Sequence, residues 1–387
     1  MSFIESDERK ALRAAVAELG AKYGPSYYLE KAKSGGKTDE LWSEAGRLGY
    51  LGVNVPEEYG GGGGGIGDLA AVCEELAAAG CPLLLMVVSP AICATIIARF
   101  GTVEQKRRWL PGFADGSVKM AFAITEPDAG SNSHRITTTG RRDGAGWILN
   151  GQKTFISGVD EADAVLFVGR TESAGRLSPA LFVVPTGTPG FAYTPIGMEI
   201  VSPEKQFLCH LDDVVLPADA LVGGPDAEGA GALAQLFAGL NPERIMGSAY
   251  SAGIGRYALA KAARYAGERQ VFKTPIGAHQ GVAHPLAQVK IELELARLMA
   301  QKAAWLYDSG DDTAAGEAAN MAKYAAAEAA CHCVDQAIQV HGGNGLTTEY
   351  GLGMLAGAVR LARIAPVSRE MVLNYVAQHS LGLPKSY

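Results

Sequence analysis

The chain has 387 residues, of which 48% are hydrophobic and 19% charged, and its formal net charge is −7. This apolar content supports more than one packed core, so two or three domains are expected. The acidic balance argues against a nucleic-acid partner, because phosphate binding needs clustered Lys and Arg side chains and no basic stripe is present.

The chain start and the cysteines predict no targeting segment, metal site or disulfide framework. The first residues are acidic and lack both the apolar core of a secretory leader and the Arg-rich character of a transit peptide. The longest apolar run, near 83–88, is too short to cross a bilayer. We therefore expect a cytoplasmic protein without a membrane span. Cys331-His332-Cys333 is better explained by small residues on a helix than by a metal site, since adjacent side chains on a helix point apart.

Residues 1–118 carry Ala, Leu and Glu at helical spacing, which predicts an N-terminal helical domain. The segment 69–77 is typical of a buried helix with Asp68 as a candidate cap. Thr102 and Gln105 have the spacing of a capping box.

Residues 119–225 change to alternating Thr, Val, Ile and Phe with Gly, Asp and Pro between the runs, which predicts a β domain. Strands are expected at 135–139, 147–150, 164–168 and 180–185. Asn150-Gly151 favours a hairpin turn, because both residue types accept positive φ. A compact antiparallel β domain follows from this pattern.

Residues 226–387 return to helical periodicity, with predicted helices at 243–265, 285–308 and 313–340. Helices of this length indicate a C-terminal bundle. The predicted fold class is therefore mainly α with a central antiparallel β domain.

Two segments have the composition of ligand-binding turns. The first combines Phe122–Ser131 with Asn150–Ser157, where a strand end, a Pro-Asp turn and small residues would let backbone approach a flat ligand. The second is Gln339–Gly345, whose glycines could either end a helix or present backbone N–H groups to phosphate. Taken singly, the first segment is better explained as an ordinary turn, and the second is only a weak indication of ligand binding.

Together these motifs resemble the acyl-CoA dehydrogenase family over nearly the whole chain. The matching motifs are Thr-Glu-Pro-Asp-Ala-Gly-Ser at 125–131, Asn-Gly-Gln-Lys at 150–153, Arg269–Phe272 with Gln280, Gln339–Gly345, and Leu211–Pro217 at the end of the β domain. The resemblance implies an N-terminal helical domain, a β-barrel-like domain and a C-terminal helical bundle. It also implies FAD as cofactor, an acyl-CoA substrate that is oxidised to the 2-enoyl-CoA, an electron-transfer flavoprotein as acceptor, and a homotetramer.

The resemblance further implies which residues contact the ligands. Those expected at the isoalloxazine are Phe122, Ile124, Thr125, Ser131, Phe155 and Ser157. Those expected at the FAD shared with a neighbouring subunit are Arg269, Phe272, Gln280, Gln339, Gly342 and Gly343, with Ser368 and Glu370 as further cofactor contacts. The expected substrate contacts are Ser131, Asn241 and Arg244.

The family places its catalytic base at one of two positions, and the sequence favours Glu243. Counted without gaps from Gly342, the Glu-Gly-Thr position used by most members is occupied here by Pro366-Val367-Ser368. The alternative position, directly before an Arg on the first C-terminal-domain helix, carries Glu243 in Asn-Pro-Glu-Arg. A plain alternative for Glu243 is a dipole-favourable acid at a helix start after Pro242. Glu370 is a second candidate base, although in register it matches an FAD contact.

Departures from the family pattern keep other activities open. Pro366 lacks the backbone N–H that the family uses to polarise the thioester carbonyl, a donor worth roughly 3 kcal/mol in comparable oxyanion holes. Lys273 replaces a usual Gly, Gly357-Ala358 a common Arg-Asp pair, and Asn241 a common Asp. The alternatives are an oxidase, monooxygenase or desulfinase on the same fold, or a non-catalytic subunit of a mixed oligomer. The sequence does not specify the acyl chain.

Overall fold

The computed structural model describes residues 5–173, 176–224 and 232–385. Its N-terminal part is helical, and Thr102 and Gln105 form the predicted capping box at the start of one helix. The helices are α1 (Asp7–Ser34), α2 (Asp39–Arg47), α3 (Ile66–Ala78), α4 (Leu85–Val88), α5 (Thr95–Phe100) and α6 (Val103–Asp115).

A π-helical segment, Ser89–Ala94, joins α4 to α5 and is buried throughout. The Ser89 hydroxyl accepts a hydrogen bond from the backbone N–H of Met120 at 3.0 Å. This bond fixes the π-helical segment to the first strand of the β domain. Because π-turns inside α-helices are rare and frequently lie at functional sites, the segment marks a region of interest.

The central sheet has seven strands. They are β1 (Met120–Ala123), β2 (Thr139–Asp143), β3 (Gly146–Ser157), β4 (Ala164–Ser173), β5 (Arg176–Pro185), β6 (Phe191–Ile196) and β7 (Gln206–Leu216). The strand order is β1-β4-β2-β3-β7-β6, with β5 paired to β4. Most pairings are antiparallel as predicted, but β1 and β2 each join β4 in parallel.

Alternate residues of β1 enter two different cores, as the two-residue period of a strand requires. Met120 and Phe122 pack with Ile92 and other residues of the N-terminal helices. Ala121 and Ala123 face the opposite core, which contains Trp147. The sheet therefore separates the N-terminal helices from a core of its own.

Two local predictions for the β domain were wrong, and both errors have a tertiary cause. Asn150 and Gly151 lie inside β3, and the β2–β3 turn comes earlier, between Asp143 and Gly146. A Cβ on Gly151 would lie 2.4 Å from the Thr138 hydroxyl, so this glycine allows a close approach within the sheet instead of a turn.

The strand predicted at 135–139 begins only at Thr139. The backbone N–H groups of Thr137 and Thr138 donate instead to the carboxylate of Glu126. These donors are therefore not free for a strand ladder, which delays the start of β2.

The described residues of the C-terminal part form a short hairpin and five α-helices. These are β8 (Gln270–Val271), β9 (Thr274–Pro275), α7 (Ala232–Glu268), α8 (Gln280–Asp308), α9 (Asp312–His341), α10 (Leu355–Ile364) and α11 (Arg369–Tyr375). The three predicted long helices are confirmed as α7, α8 and α9. The predicted boundary near residue 225 lies outside the described residues. Across the described ranges, no helix is both long and apolar enough to cross a membrane.

The start of α7 differs from its prediction. Pro242 was expected at a helix start, but α7 begins at Ala232 and Pro242 lies inside it. A proline at this position removes the hydrogen bond to the carbonyl of Ala238. The Tyr307 hydroxyl donates to that carbonyl at 2.9 Å, so a tertiary contact replaces the lost helical bond.

Candidate active site

The two β-domain motifs lie side by side. The backbone N–H of Thr154 donates to the carbonyl of Thr125 at 2.9 Å. The Lys153 ammonium donates to the carbonyl of Ile124, also at 2.9 Å. The segments 122–131 and 150–157, which are far apart in sequence, therefore form one surface.

Glu126 organises this surface from beneath. Its carboxylate accepts bonds from the backbone N–H and hydroxyl groups of Thr137 and Thr138, at 2.6–3.0 Å, and from the fully buried Lys153 ammonium at 2.8 Å. Burial alone would raise the Glu126 pKa, but the bonds from Lys153 and Thr138 hold it at about 2. Burial lowers the Lys153 pKa to about 8, although the hydrogen bond and negative charge of Glu126 act to raise it. Both groups are therefore charged at neutral pH and form a satisfied buried ion pair.

Phe155 is the residue of this surface with the most unusual conformation. Its φ is 57° and 57% of its area is exposed. A positive φ is uncommon for a bulky residue, and such outliers concentrate at ligand-binding positions. Ser157 is held nearby by Gln206, whose side-chain amide donates to the serine hydroxyl at 2.9 Å.

The other predicted residues of this surface differ in exposure. Phe122 is buried, Ile124, Thr125 and Ser157 are half-buried, and Ser131 is exposed. The structure thus brings together all six residues predicted at the isoalloxazine on two adjoining segments.

A second group of predicted residues lies on the C-terminal helices. Arg269, Phe272, Gln280, Gln339, Gly342 and Gly343 are all exposed there. The Gly342–Gly345 turn follows α9 and is anchored to α7: the ring of Tyr265 stacks on His341 at 4.2 Å, and its hydroxyl accepts a bond from Asn344 at 3.2 Å. Arg269 follows Tyr265 by one helical turn, with its N–H bonded to the Tyr265 carbonyl. Backbone donors and an exposed cation therefore share one end of this domain.

Lys273, which replaces a usual Gly of the family, has a left-handed backbone with φ of 70°. For a residue other than glycine, this conformation destabilises the folded state by roughly 1–2 kcal/mol. A glycine here would remove that strain, but its greater conformational freedom in the unfolded state would offset part of the gain in stability. We expect Lys273→Gly to raise the free energy of unfolding by about 0.5–1 kcal/mol. Urea unfolding measures this change. Lys273→Ala is the control, since it removes the side chain but keeps the strain; an equal gain in Lys273→Ala would contradict the strain account.

Glu243 lies on α7, where its side chain is half-buried near two positive charges. Burial raises its pKa to about 7, although the positive charges of Arg244 and Lys323 act in the opposite direction. Burial raises the pKa of the Cys93 thiol in the π-helical segment, and the negative charge of Glu243 raises it further. Because α7 starts well before this position, an N-terminal dipole no longer explains Glu243.

The predicted substrate residues next to Glu243 are held by bonds within α7 and to the start of α9. Arg244 donates to the Leu240 carbonyl at 3.2 Å and to the Asn241 side chain at 3.3 Å. Asn241 is buried and donates to the Asp312 carbonyl at 3.2 Å. Because the Arg244 guanidinium donates to these two groups on α7, it does not donate to the Glu243 carboxylate.

The segment carrying Pro366 packs over the same face of α7. A Cβ on Gly247, one turn beyond Glu243, would lie 3.7 Å from the Pro366 ring. Ser368 caps α11 by accepting a bond from Met371 N–H at 3.3 Å. Glu370 lies exposed in the first turn of α11. The residue that replaces the usual base therefore contacts α7 one turn from Glu243, while Glu370 lies at the surface.

Sequence reasoning missed three side chains of this region: Glu126, Lys153 and Lys323. Lys323 lies on α9, is 3% exposed, and donates through its ammonium to the carbonyl of Val367. Its neighbours on α9 are mostly alanines, a pattern in which a lone Lys is ordinarily solvent-facing. No local pattern could have indicated its burial.

The raised pKa of Glu243 predicts a pH-dependent stability. Between the ordinary value of 4.5 and about 7, the folded state binds a proton that the unfolded state has lost, so the free energy of unfolding falls as pH rises. At about pH 8 the charged carboxylate destabilises the fold by at most about 3 kcal/mol. Glu243→Gln should therefore stabilise the protein at about pH 8 and have little effect at about pH 4.5. Thermal unfolding at both pH values tests this; an equal effect at both would contradict a raised pKa of Glu243 in the folded state.

Three family models match the chain in succession. They are acyl-CoA dehydrogenase, N-terminal domain, over residues 6–117; middle domain, over 121–203; and C-terminal domain, over 230–381. Acyl-CoA dehydrogenase FadE12 of Mycobacterium tuberculosis (strain ATCC 25618 / H37Rv) is 69% identical, over 100% of this chain and 99% of that protein.

Solved structures agree with these matches. A glutaryl-coenzyme A dehydrogenase in complex with glutaryl-CoA has a TM-score of 0.92 and 30% identity, with 100% of this chain and 98% of that chain covered. Butyryl-CoA dehydrogenase from Megasphaera elsdenii has a TM-score of 0.92 and 28% identity, with 98% and 100% covered. The predicted family and fold class are confirmed: the chain belongs to the acyl-CoA dehydrogenase family.

Proposed function

We propose that this protein is an FAD-dependent acyl-CoA dehydrogenase in which Glu243 removes the α-proton of an acyl-CoA thioester. The product is the 2-enoyl-CoA. The observation that carries the proposal is a half-buried carboxylate with a pKa of about 7, one helical turn from the point where α7 contacts Pro366, which replaces the family's usual base.

The residues present fit a flavin. The surface formed by 122–131 and 150–157 combines apolar side chains, the half-exposed Phe155 ring and the Ser157 hydroxyl, which suits a flat heterocycle with polar edges. At the other end, Gly342 and Gly343 have open space where a Cβ would be, and Arg269 supplies an exposed cation. Backbone N–H groups together with Arg match a pyrophosphate. A flavin held by these residues would supply the acceptor for the β-hydride of the substrate.

The chemistry of the chain itself is proton transfer. A base with a pKa near neutrality is both ionised and strong enough to abstract a weakly acidic proton, and general bases of this kind contribute about 10²–10⁴-fold. Burial supplies the raised pKa, while Arg244 and Lys323 keep it from rising further. Pro366 has no N–H, so stabilisation of the enolate by a backbone donor at this position is excluded.

We further propose a homotetramer in which Arg269, Phe272, Gln280, Gln339, Gly342 and Gly343 serve the FAD of a neighbouring subunit. Phe272 is 89% exposed, and α8 exposes Ile291, Leu295 and Leu298 along one face. An apolar stripe of this kind is typical of an interface. Light scattering at micromolar concentration tests the assembly: a tetramer with one FAD per chain supports it, and a monomer that retains FAD contradicts it.

We propose an electron-transfer flavoprotein as the electron acceptor and the cytoplasm as the location. We also propose three domains, with boundaries near residues 118 and 225.

The departure at Pro366 makes an oxidase the second candidate function. Peroxide measured under air separates the two functions. Turnover that depends on an added acceptor protein supports the dehydrogenase, whereas one peroxide per substrate without an acceptor supports the oxidase.

A further inference from the structure

Lys323 is a buried cation whose ammonium bonds to a backbone carbonyl. It lies on α9 among the buried alanines Ala319, Ala322 and Ala326, and it donates to the carbonyl of Val367. A buried ammonium needs hydrogen bonds and an opposite charge to offset its desolvation. The neutral carbonyl supplies the first but not the second.

The bond from Lys323 reaches the segment that contacts α7 one helical turn beyond the proposed base. Val367 directly follows Pro366, and Pro366 packs over Gly247, one helical turn beyond Glu243 on α7. Lys323 therefore ties α9 to the 365–368 segment at the point where that segment meets α7.

The charged groups around Lys323 leave Glu243 as its electrostatic partner. The charges that act on the pKa of Lys323 are those of Glu243 and Arg244 on α7, Glu370 on α11 and Glu328 on its own helix. Arg244 is a like charge. Glu370 is exposed to solvent. Glu328 is already paired with Arg363 at 2.6 Å and lies 3.8 Å from Arg369.

We propose that Lys323 is a positioning residue for the proton-abstraction step, which anchors the 365–368 segment against α7 and favours the ionised form of Glu243 by its charge. The inference rests on the proposed function of Glu243 as the base. Removing a buried positive charge beside a carboxylate disfavours its charged form and raises its pKa. Burial lowers the pKa of Lys323 to about 8, and the carboxylate of Glu243 acts against this decrease.

The variants Lys323→Gln, Lys323→Met and Lys323→Arg separate the anchor from the charge. Gln keeps a donor but no charge, Met keeps neither, and Arg keeps both. We measure the pH dependence of anaerobic flavin reduction by a saturating acyl-CoA. The acidic limb of the profile should move upward by about one pH unit in Lys323→Gln and Lys323→Met, and return close to its wild-type position in Lys323→Arg. If the variants instead reduced the flavin more slowly by the same factor at every pH, with the acidic limb at its wild-type position, the proposal would be overturned.

A second measurement follows the protein without substrate. The change in thermal stability caused by Glu243→Gln is recorded against pH, once in the otherwise wild-type chain and once in the Lys323→Gln background. The pH at the midpoint of this stability change should be higher in the Lys323→Gln background, where the lysine charge is absent. An unchanged midpoint overturns the proposal, and this test does not depend on whether Lys323→Met folds. If Glu243→Gln itself is fully reduced by acyl-CoA, the base assignment fails. If Glu243→Gln is inactive and the Lys323→Gln limb is unmoved, the role of Lys323 alone fails.

Discussion

Replacing Lys153 by Met is expected to lower the free energy of unfolding by about 3–5 kcal/mol. The Lys153 side chain is fully buried, and its ammonium bonds to both the Glu126 carboxylate at 2.8 Å and the Ile124 carbonyl at 2.9 Å. Without it, Glu126 keeps its threonine donors but becomes an unpaired buried charge. Since the same bonds join the two proposed flavin-bordering segments, Lys153→Met should also reduce the fraction of protein that retains FAD.

Urea unfolding and the flavin-to-protein absorbance ratio measure the two effects. Lys10→Met is a matched control, because Lys10 pairs with Asp7 at the surface at 2.9 Å and should change stability by less than about 1 kcal/mol. The double variant Lys153→Met/Glu126→Gln should recover part of the loss, since neither residue then leaves a buried charge. A loss below about 1 kcal/mol in Lys153→Met would show that the ion pair does not organise this surface.

Replacing Glu243 by Gln is expected to lower acyl-CoA-dependent turnover by about 10²–10⁴-fold or more while FAD remains bound. The amide matches the carboxylate in size but cannot take up the α-proton. Steady-state turnover with a saturating acyl-CoA and an artificial electron acceptor measures this effect. Glu104→Gln, an exposed carboxylate at the start of α6, should have unchanged turnover. Unchanged turnover in Glu243→Gln would remove this residue from the proposed chemistry.

The helices were predictable because their periodicity and caps are local. The Thr102–Gln105 capping box needs only its own residues, and it forms as predicted. Gly151 instead accommodates Thr138 within the sheet, and the carbonyl left free by Pro242 is satisfied by Tyr307 from α8. Both depend on residues distant in sequence, so neither the extent of β3 nor the start of α7 followed from local pattern.

The candidate site shows the same division. Glu243 could be proposed from sequence because the base position used by most of the family carries Pro366, which has no carboxylate. The roles of Lys153 and Lys323 could not be predicted from sequence, because a Lys in a strand or helix is ordinarily expected to face solvent. Their burial is decided by Ile124, Glu126 and Val367, which come from other elements.

Anaerobic titration of the flavin absorbance with a panel of acyl-CoAs tests the central claim most directly, with wild-type protein, Glu243→Gln and Glu370→Gln compared at full FAD occupancy. The account predicts that wild-type protein and Glu370→Gln are bleached by at least one acyl-CoA, whereas Glu243→Gln stays yellow with all of them. Full bleaching of Glu243→Gln, or loss of bleaching only in Glu370→Gln, would contradict Glu243 as the base.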